Sequence, residues 1–252
     1  MTRSPLRALV APALASAVGA ALLIGLGLWQ LQRLAWKEGL ISAAEQRAHA
    51  APVDLPPPEQ WASLDPGAYE YRHVRVSGVY DGAHQALVFR AMERAHGRFA
   101  GQGYLAMTPL RLASGAIVLI NRGFVPQDRQ DAAAVPPDGA RVEITGLMRA
   151  SEPRNFFTPA DNPARGQWFT RDVAAIATAF GLKDAAPFFI DADAGAPDQL
   201  PEGGETILAF PNHHFEYALT WFGMALALAG VFAAFAATQL RKSTAAAPAG
   251  GR

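Results

Sequence analysis

Two adjacent imidazoles, His213 and His214, stand with Asn212 and Glu216 at the mouth of a long apolar run in the string PNHHFEYALTWF, which begins at Pro211. From Tyr217 to Leu240 the chain carries no charge for 24 residues, enough for a helix to cross a hydrocarbon core that needs about 20. Titratable groups placed where the dielectric falls from water toward lipid can serve as metal ligand, proton carrier or interfacial anchor. On a helix His214, Tyr217 and Trp221 share a face, and His213 joins the two aromatic rings from one step around.

A second charge-free run, Ala8 to Gln32, is also of membrane length. Arg3 and Arg7 ahead of it resemble the start of a signal peptide, but its apolar character continues through Leu28, too far for a typical h-region, so an uncleaved anchor is expected. Stepping by four gives Ala13, Ala17, Ala21, Gly25, Trp29, Arg33 and Lys37 here, and His213, Tyr217, Trp221, Ala225, Ala229, Ala233 and Ala237 in the other run. Small residues let helices approach closely, so these stripes predict two antiparallel spans packed small face to small face, with Trp29 and Trp221 near the outer interface.

Between the spans the pattern is β. Strands are predicted at Tyr71 to Tyr80, Gln85 to Arg90, Gly103 to Leu110, Ala116 to Val125, Val142 to Arg149 and Phe188 to Ala192, separated by Gly, Pro and Asp clusters. Ile117 to Ile120 reads as a strand buried on both faces. One short helix, Asp172 to Phe180, is closed by Gly181. The fold class is thus a membrane protein with two transmembrane α-helices flanking a mainly antiparallel β domain, a sandwich or partly open barrel. The divisions are an N-terminal tail (1–7), a first span (8–32), a helical extension and Pro-rich linker (33–58), the β domain (59–210), the histidine stretch with the second span (211–240), and a low-complexity C-terminal tail (241–252).

Half of the chain is hydrophobic, 17% is charged and the formal net charge is zero, which excludes nucleic acid as the natural partner. All 22 acidic residues and 17 of the 22 basic ones lie between Arg33 and Glu216, so the middle is net acidic and both tails are purely basic. Cytoplasmic flanks are enriched in Lys and Arg, which puts both termini inside and the β domain outside. Without cysteine there are no thiolate ligands and no covalent haem attachment. The five methionines are dispersed, so no copper is expected. His49, His73, His84 and His96 lack zinc-site spacing and read as surface or strand residues, and GRFAGQG from Gly97 reads as a turn rather than a phosphate loop. No nucleophile with a base and no carboxylate pair points to an enzyme. The membrane mouth remains, where two readings stay open: headgroup anchors, or an imidazole ligand for a flat apolar macrocycle walled by aromatic rings, with a guanidinium for its carboxylates.

Several strings taken in order resemble the surfeit locus protein family: GLGLWQLQRLAWKEGLI from Gly25, YRHVRVSGVY from Tyr71, GYLAMTPL from Gly103, NRGFVP from Asn121, VEITGLMRASE from Val142 and NHHFEYALTWF from Asn212. The resemblance implies an assembly factor of cytochrome c oxidase in an inner membrane, with its domain in the periplasm or the intermembrane space. It implies noncovalent binding of haem a and help with its insertion into the catalytic subunit, with haem a synthase as the neighbouring partner. The family's Asn-x-His-x-x-Tyr-Ala stretch falls on Asn212, His214, Tyr217 and Ala218, which prefers His214 over His213 as the ligand to haem iron. The residue pattern adds Tyr217, Trp221, Trp29 and Arg33 as expected haem contacts, and Arg122 as a contact to a propionate or a partner. Arg122 is equally readable as fixing the turn that begins at Asn121. Phe124 departs from the family's tryptophan and loses an indole donor. The alternative function is a membrane-anchored scaffold that holds oxidase intermediates without haem.

Overall fold

The computed structural model describes residues 5–92, 97–133, 135, 139–196, 198–206, 208 and 210–245. His96, Arg3, Arg252 and most of the AAAPAGG tail lie outside these residues. The described residues form two compact units, one gathering those up to Ser42 and from Phe210 on, the other spanning Ala43–Ala209.

The first unit is a pair of helices, both long and apolar enough to cross a membrane. α1 runs from Pro5 to Ala48, its last residues belonging to the second unit, and α4 from His214 to Ala245. They pack antiparallel, with Gly19 against Leu228 and Gly27 against Phe222. A Cβ on Gly27 would lie 2.5 Å from the Phe222 ring, so glycine is what admits that phenyl group. The packed face of α1 is Gly19, Leu23, Gly27, Gln30 and Leu34, and that of α4 is His214, Ala218, Phe222, Ala225 and Leu228. This corrects the expected small-to-small stripes: Ala17, Ala21, Gly25 and Trp29 are exposed, as are Tyr217, Ala229 and Ala233. A step of four advances about 40° around a helix with 3.6 residues per turn, so six such steps leave any one face. Alternating steps of three and four hold it.

The second unit is a β-barrel. Its strands are β1 (Val53–Asp54), β2 (His73–Tyr80), β3 (Ala86–Met92), β4 (Gly101–Leu112), β5 (Ile117–Pro126), β6 (Arg141–Ala150) and β7 (Ala185–Ala192). They follow the order β1-β2-β6-β7-β5-β4-β3, and a further pairing of β2 with β4 closes a five-stranded ring. The domain is therefore a closed barrel, not a sandwich or an open one. Closure uses three residue pairs, Gly78–Tyr80 with Leu110–Leu112. Gly78 makes it possible, since a Cβ there would meet the Arg111 carbonyl at 2.5 Å. The sheet is mainly antiparallel, with β5–β7 and β1–β2 parallel.

Side-chain alternation along each strand sorts two cores. Val74, Val118, Ile120, Met148, Phe188 and Ile190 fill one with Trp61 and Tyr69, while Leu119, Phe124 and Phe189 join Trp168, Val173 and Ile176 in the other. Ile117 to Ile120 is buried on both faces, as its unbroken apolar run predicts. All six predicted strands are present. β2 begins two residues late because Tyr71 adopts φ +64°, a left-handed turn. The string GRFAGQG is only partly a turn, since Gly101 already opens β4. The predicted short helix is α3 (Val173–Ala179), capped by Asp172 through the Ala174 and Ala175 amides. It is not alone: α2 (Pro66–Tyr69) and three 3-10 segments accompany it.

Candidate functional site

The helix pair separates the two imidazoles. His213 is exposed, and its Nδ1 lies 3.1 Å from Glu216 Oε2 on the same helix. His214 turns inward, where its Nδ1 donates to Gln30 Oε1 at 2.6 Å across the pair. Gln30 is itself buried on α1. With the amide oxygen accepting, Nδ1 carries a proton, and this hydrogen bond holds the ring plane, the kind of outer contact that orients a metal-binding histidine. Pro211, just before α4, accepts from Lys37 Nζ, which ties the entry of α4 to α1.

The remaining expected residues are distributed unevenly. Trp221 is partly buried on the packed side of α4, whereas Tyr217 and Trp29 are each more than half exposed. The Arg33 guanidinium stacks over Trp36 at 4.1 Å. Arg122 belongs to the barrel unit, where Nη1 donates to the Ala133 carbonyl at 3.1 Å and the guanidinium lies over the Tyr80 ring. Burial pushes the Tyr80 phenol up to about 12 despite that neighbouring charge. Phe124 is fully buried with its ring against Gly103, a packing that asks for no indole donor.

Sequence reasoning missed Gln30, whose only signal is an amide inside a charge-free run, and it missed a polar centre in the barrel. Asp191, near the end of β7, is buried and accepts from Asn121 Nδ2 (2.7 Å), Thr206 Oγ1 (2.7 Å), Arg149 Nη1 (2.8 Å) and Arg171 Nη1 (3.0 Å). Glu152 bridges the same two arginines, and Arg149 Nε also donates to Glu70 at 2.8 Å. Burial opposes ionisation of Asp191, but Arg171 and Arg149 outweigh it and hold its carboxyl below the usual range. A cavity of about 520 Å³ opens beside this cluster, with Arg90 at its edge. The nitrogens of Arg149 and Arg171 are spent on carboxylates, so the cluster is a brace for the strands.

His73 opens β2 with both ring nitrogens engaged, Nδ1 to the Ala50 carbonyl and Nε2 to Asp193, each at 2.8 Å. Two acceptors require two protons, so despite partial desolvation the Asp193 and Ala50 bonds raise its pKa above 6.5. A raised folded pKa gives stability that is present in full below the unfolded value and is lost as pH rises through the folded one. Thermal melts should therefore favour pH 6 over pH 8 by about 1–2 °C, in keeping with a partly exposed pair. The increment should vanish in His73→Gln, and an equal increment there would exclude His73 as its source.

The family model that matches the chain is described as the SURF1 family and covers residues 17–226. Surfeit locus protein 1 of Mus musculus is 36% identical over 218 residues, which span 81% of this chain and 68% of the mouse protein. Surfeit locus protein 1 of Homo sapiens is 34% identical over 218 residues, 81% of this chain and 70% of the human one. A SURF1-like protein of Drosophila melanogaster is 35% identical over 219 residues, with 81% and 70% covered.

Proposed function

This chain belongs to the SURF1 family, and we propose that it acts in the assembly of cytochrome c oxidase by holding haem a noncovalently and assisting its insertion into the catalytic subunit. The observation that carries the haem reading is the His214–Gln30 pair, which engages Nδ1 and holds the imidazole in a fixed orientation within the helix pair. His214 would hold the iron, Trp221 and Tyr217 would wall the ring, and Arg33 would supply a guanidinium for the propionates. Haem is cargo here. The protein's own task is to present one imidazole in a fixed plane.

Two helices of membrane length support anchoring, and the basic tails support cytoplasmic termini with the β domain on the outer side of an inner membrane. Haem a synthase is then the natural donor and the catalytic subunit the acceptor. No catalytic role is part of this reading. The test is purification of the detergent-solubilised chain from cells with and without haem a synthesis. A haem a spectrum on the protein only in the first case is expected. Colourless protein in both, still bringing oxidase subunits with it, would replace haem delivery with scaffolding.

A further inference from the structure

The excursion between β6 and α3, residues 151–172, ends in two phenylalanines that the described barrel residues do not cover. Phe156 and Phe157 are each 90% exposed, and their rings meet edge to face at 5.3 Å. Such exposure is unusual for large apolar side chains, and it is not a product of slack backbone. Asn155 Oδ1 accepts from the Phe157 amide, the Thr158 amide and the Thr158 hydroxyl, and Arg154 Nε donates to the Thr158 carbonyl. The base of the excursion is clamped by the Glu152 amide on the Arg171 carbonyl, and its return by the Phe89 amide on the carbonyl of buried Trp168. Two rings are thus held outward on a braced pedestal.

The exposed charged side chains of the excursion are cations, while its carboxylates are partly buried. Glu152 is consumed by Arg149 and Arg171, and Asp161 accepts from the Phe169 amide and the Thr170 hydroxyl. Arg154 and Arg165 remain exposed. Aromatic rings flanked by exposed cations match the chemistry of an anionic bilayer surface, where rings enter the headgroup layer and guanidinium groups meet phosphates. A groove on a protein would have to offer acid and an apolar slot together. We propose that the Phe156–Phe157 tip is a membrane wedge that enters the interfacial layer of an anionic bilayer. This rests on the membrane-anchored reading above, which keeps a lipid surface at high effective concentration for the tethered domain.

The chain has no cysteine, so Phe157→Cys offers a unique position for an environment-sensitive fluorophore with Phe156 retained. Leu22→Cys, in the first apolar run, and Ala113→Cys, in the exposed turn after β4, are labelled separately. Each full-length protein is reconstituted into phosphatidylcholine vesicles with and without phosphatidylglycerol, and quenching by nitroxide lipids of shallow and deep placement is read. At Phe157 a blue-shifted emission quenched best by the shallow nitroxide is expected, stronger in the anionic vesicles and weakened several-fold by Arg154→Glu. Emission at Phe157 like that at Ala113 in both lipid mixtures would overturn the wedge. The Leu22 label separates the two ideas: deep quenching there with a water-like Phe157 site rejects the wedge and leaves the anchor, and water-like emission at both rejects both.

Discussion

Replacing His214 with alanine is expected to leave the purified protein without haem a, whereas His213→Ala retains close to the wild-type content. The two residues are neighbours in sequence but not in environment. His213 is exposed and paired with Glu216, while His214 is turned into the helix pair with Nδ1 held by Gln30. On the proposed haem reading, loss of the inner imidazole would remove the donor to iron outright. Gln30→Leu keeps the imidazole but removes the acceptor that holds its ring, and should weaken binding about 10- to 100-fold. Haem per polypeptide, read from the visible spectrum of protein made in cells that synthesise haem a, decides the matter. Equal pigment in His214→Ala and wild type, with an unchanged thermal melt, would sink the assignment.

Asp191→Asn should destabilise the barrel by about 3–5 kcal/mol, because a buried charge pair that loses one member leaves the other uncompensated. The change is nearly isosteric, so the loss is electrostatic. Arg149 and Arg171 would remain beside a neutral amide. For a domain of this size the melting temperature should fall by about 10 °C. Since the folded pKa of Asp191 is depressed, its contribution is present above the unfolded carboxylate value of about 3.9 and is lost as pH falls through the folded value. Acid should therefore narrow the gap between wild type and variant. Melts that coincide at neutral pH would show that the cluster does not brace the strands.

Much of the barrel was readable because its strands alternate and their borders are Gly, Pro and Asp clusters. The cap of α3 was readable because Asp172 and Gly181 bracket it. Closure was not. It depends on Gly78 meeting the backbone at Arg111, a contact between residues whose local patterns say nothing of each other. The polar centre failed for a similar reason: Asp191 at the end of PFFIDA announces a buried charge, but its partners come from β5, β6 and the segments around Arg171 and Thr206. At the helix pair, the charge-free runs fixed the helices, and the i+4 stripes then chose the wrong faces. His214 was favoured through family likeness, and Gln30 became visible only across the pair.

The position of β7 has a consequence for how the chain is made. It is the last barrel strand in sequence, yet it sits between β5 and β6, pairing parallel with one and antiparallel with the other. Until β7 is in place, the ring has a gap and two bare edges, one of them β5, which is buried along almost its whole length in the finished barrel. Bare apolar edges template association with other chains. Between the synthesis of β6 and that of β7 a nascent chain therefore carries these edges uncovered, and β7, which precedes the histidine stretch, is the strand that covers them.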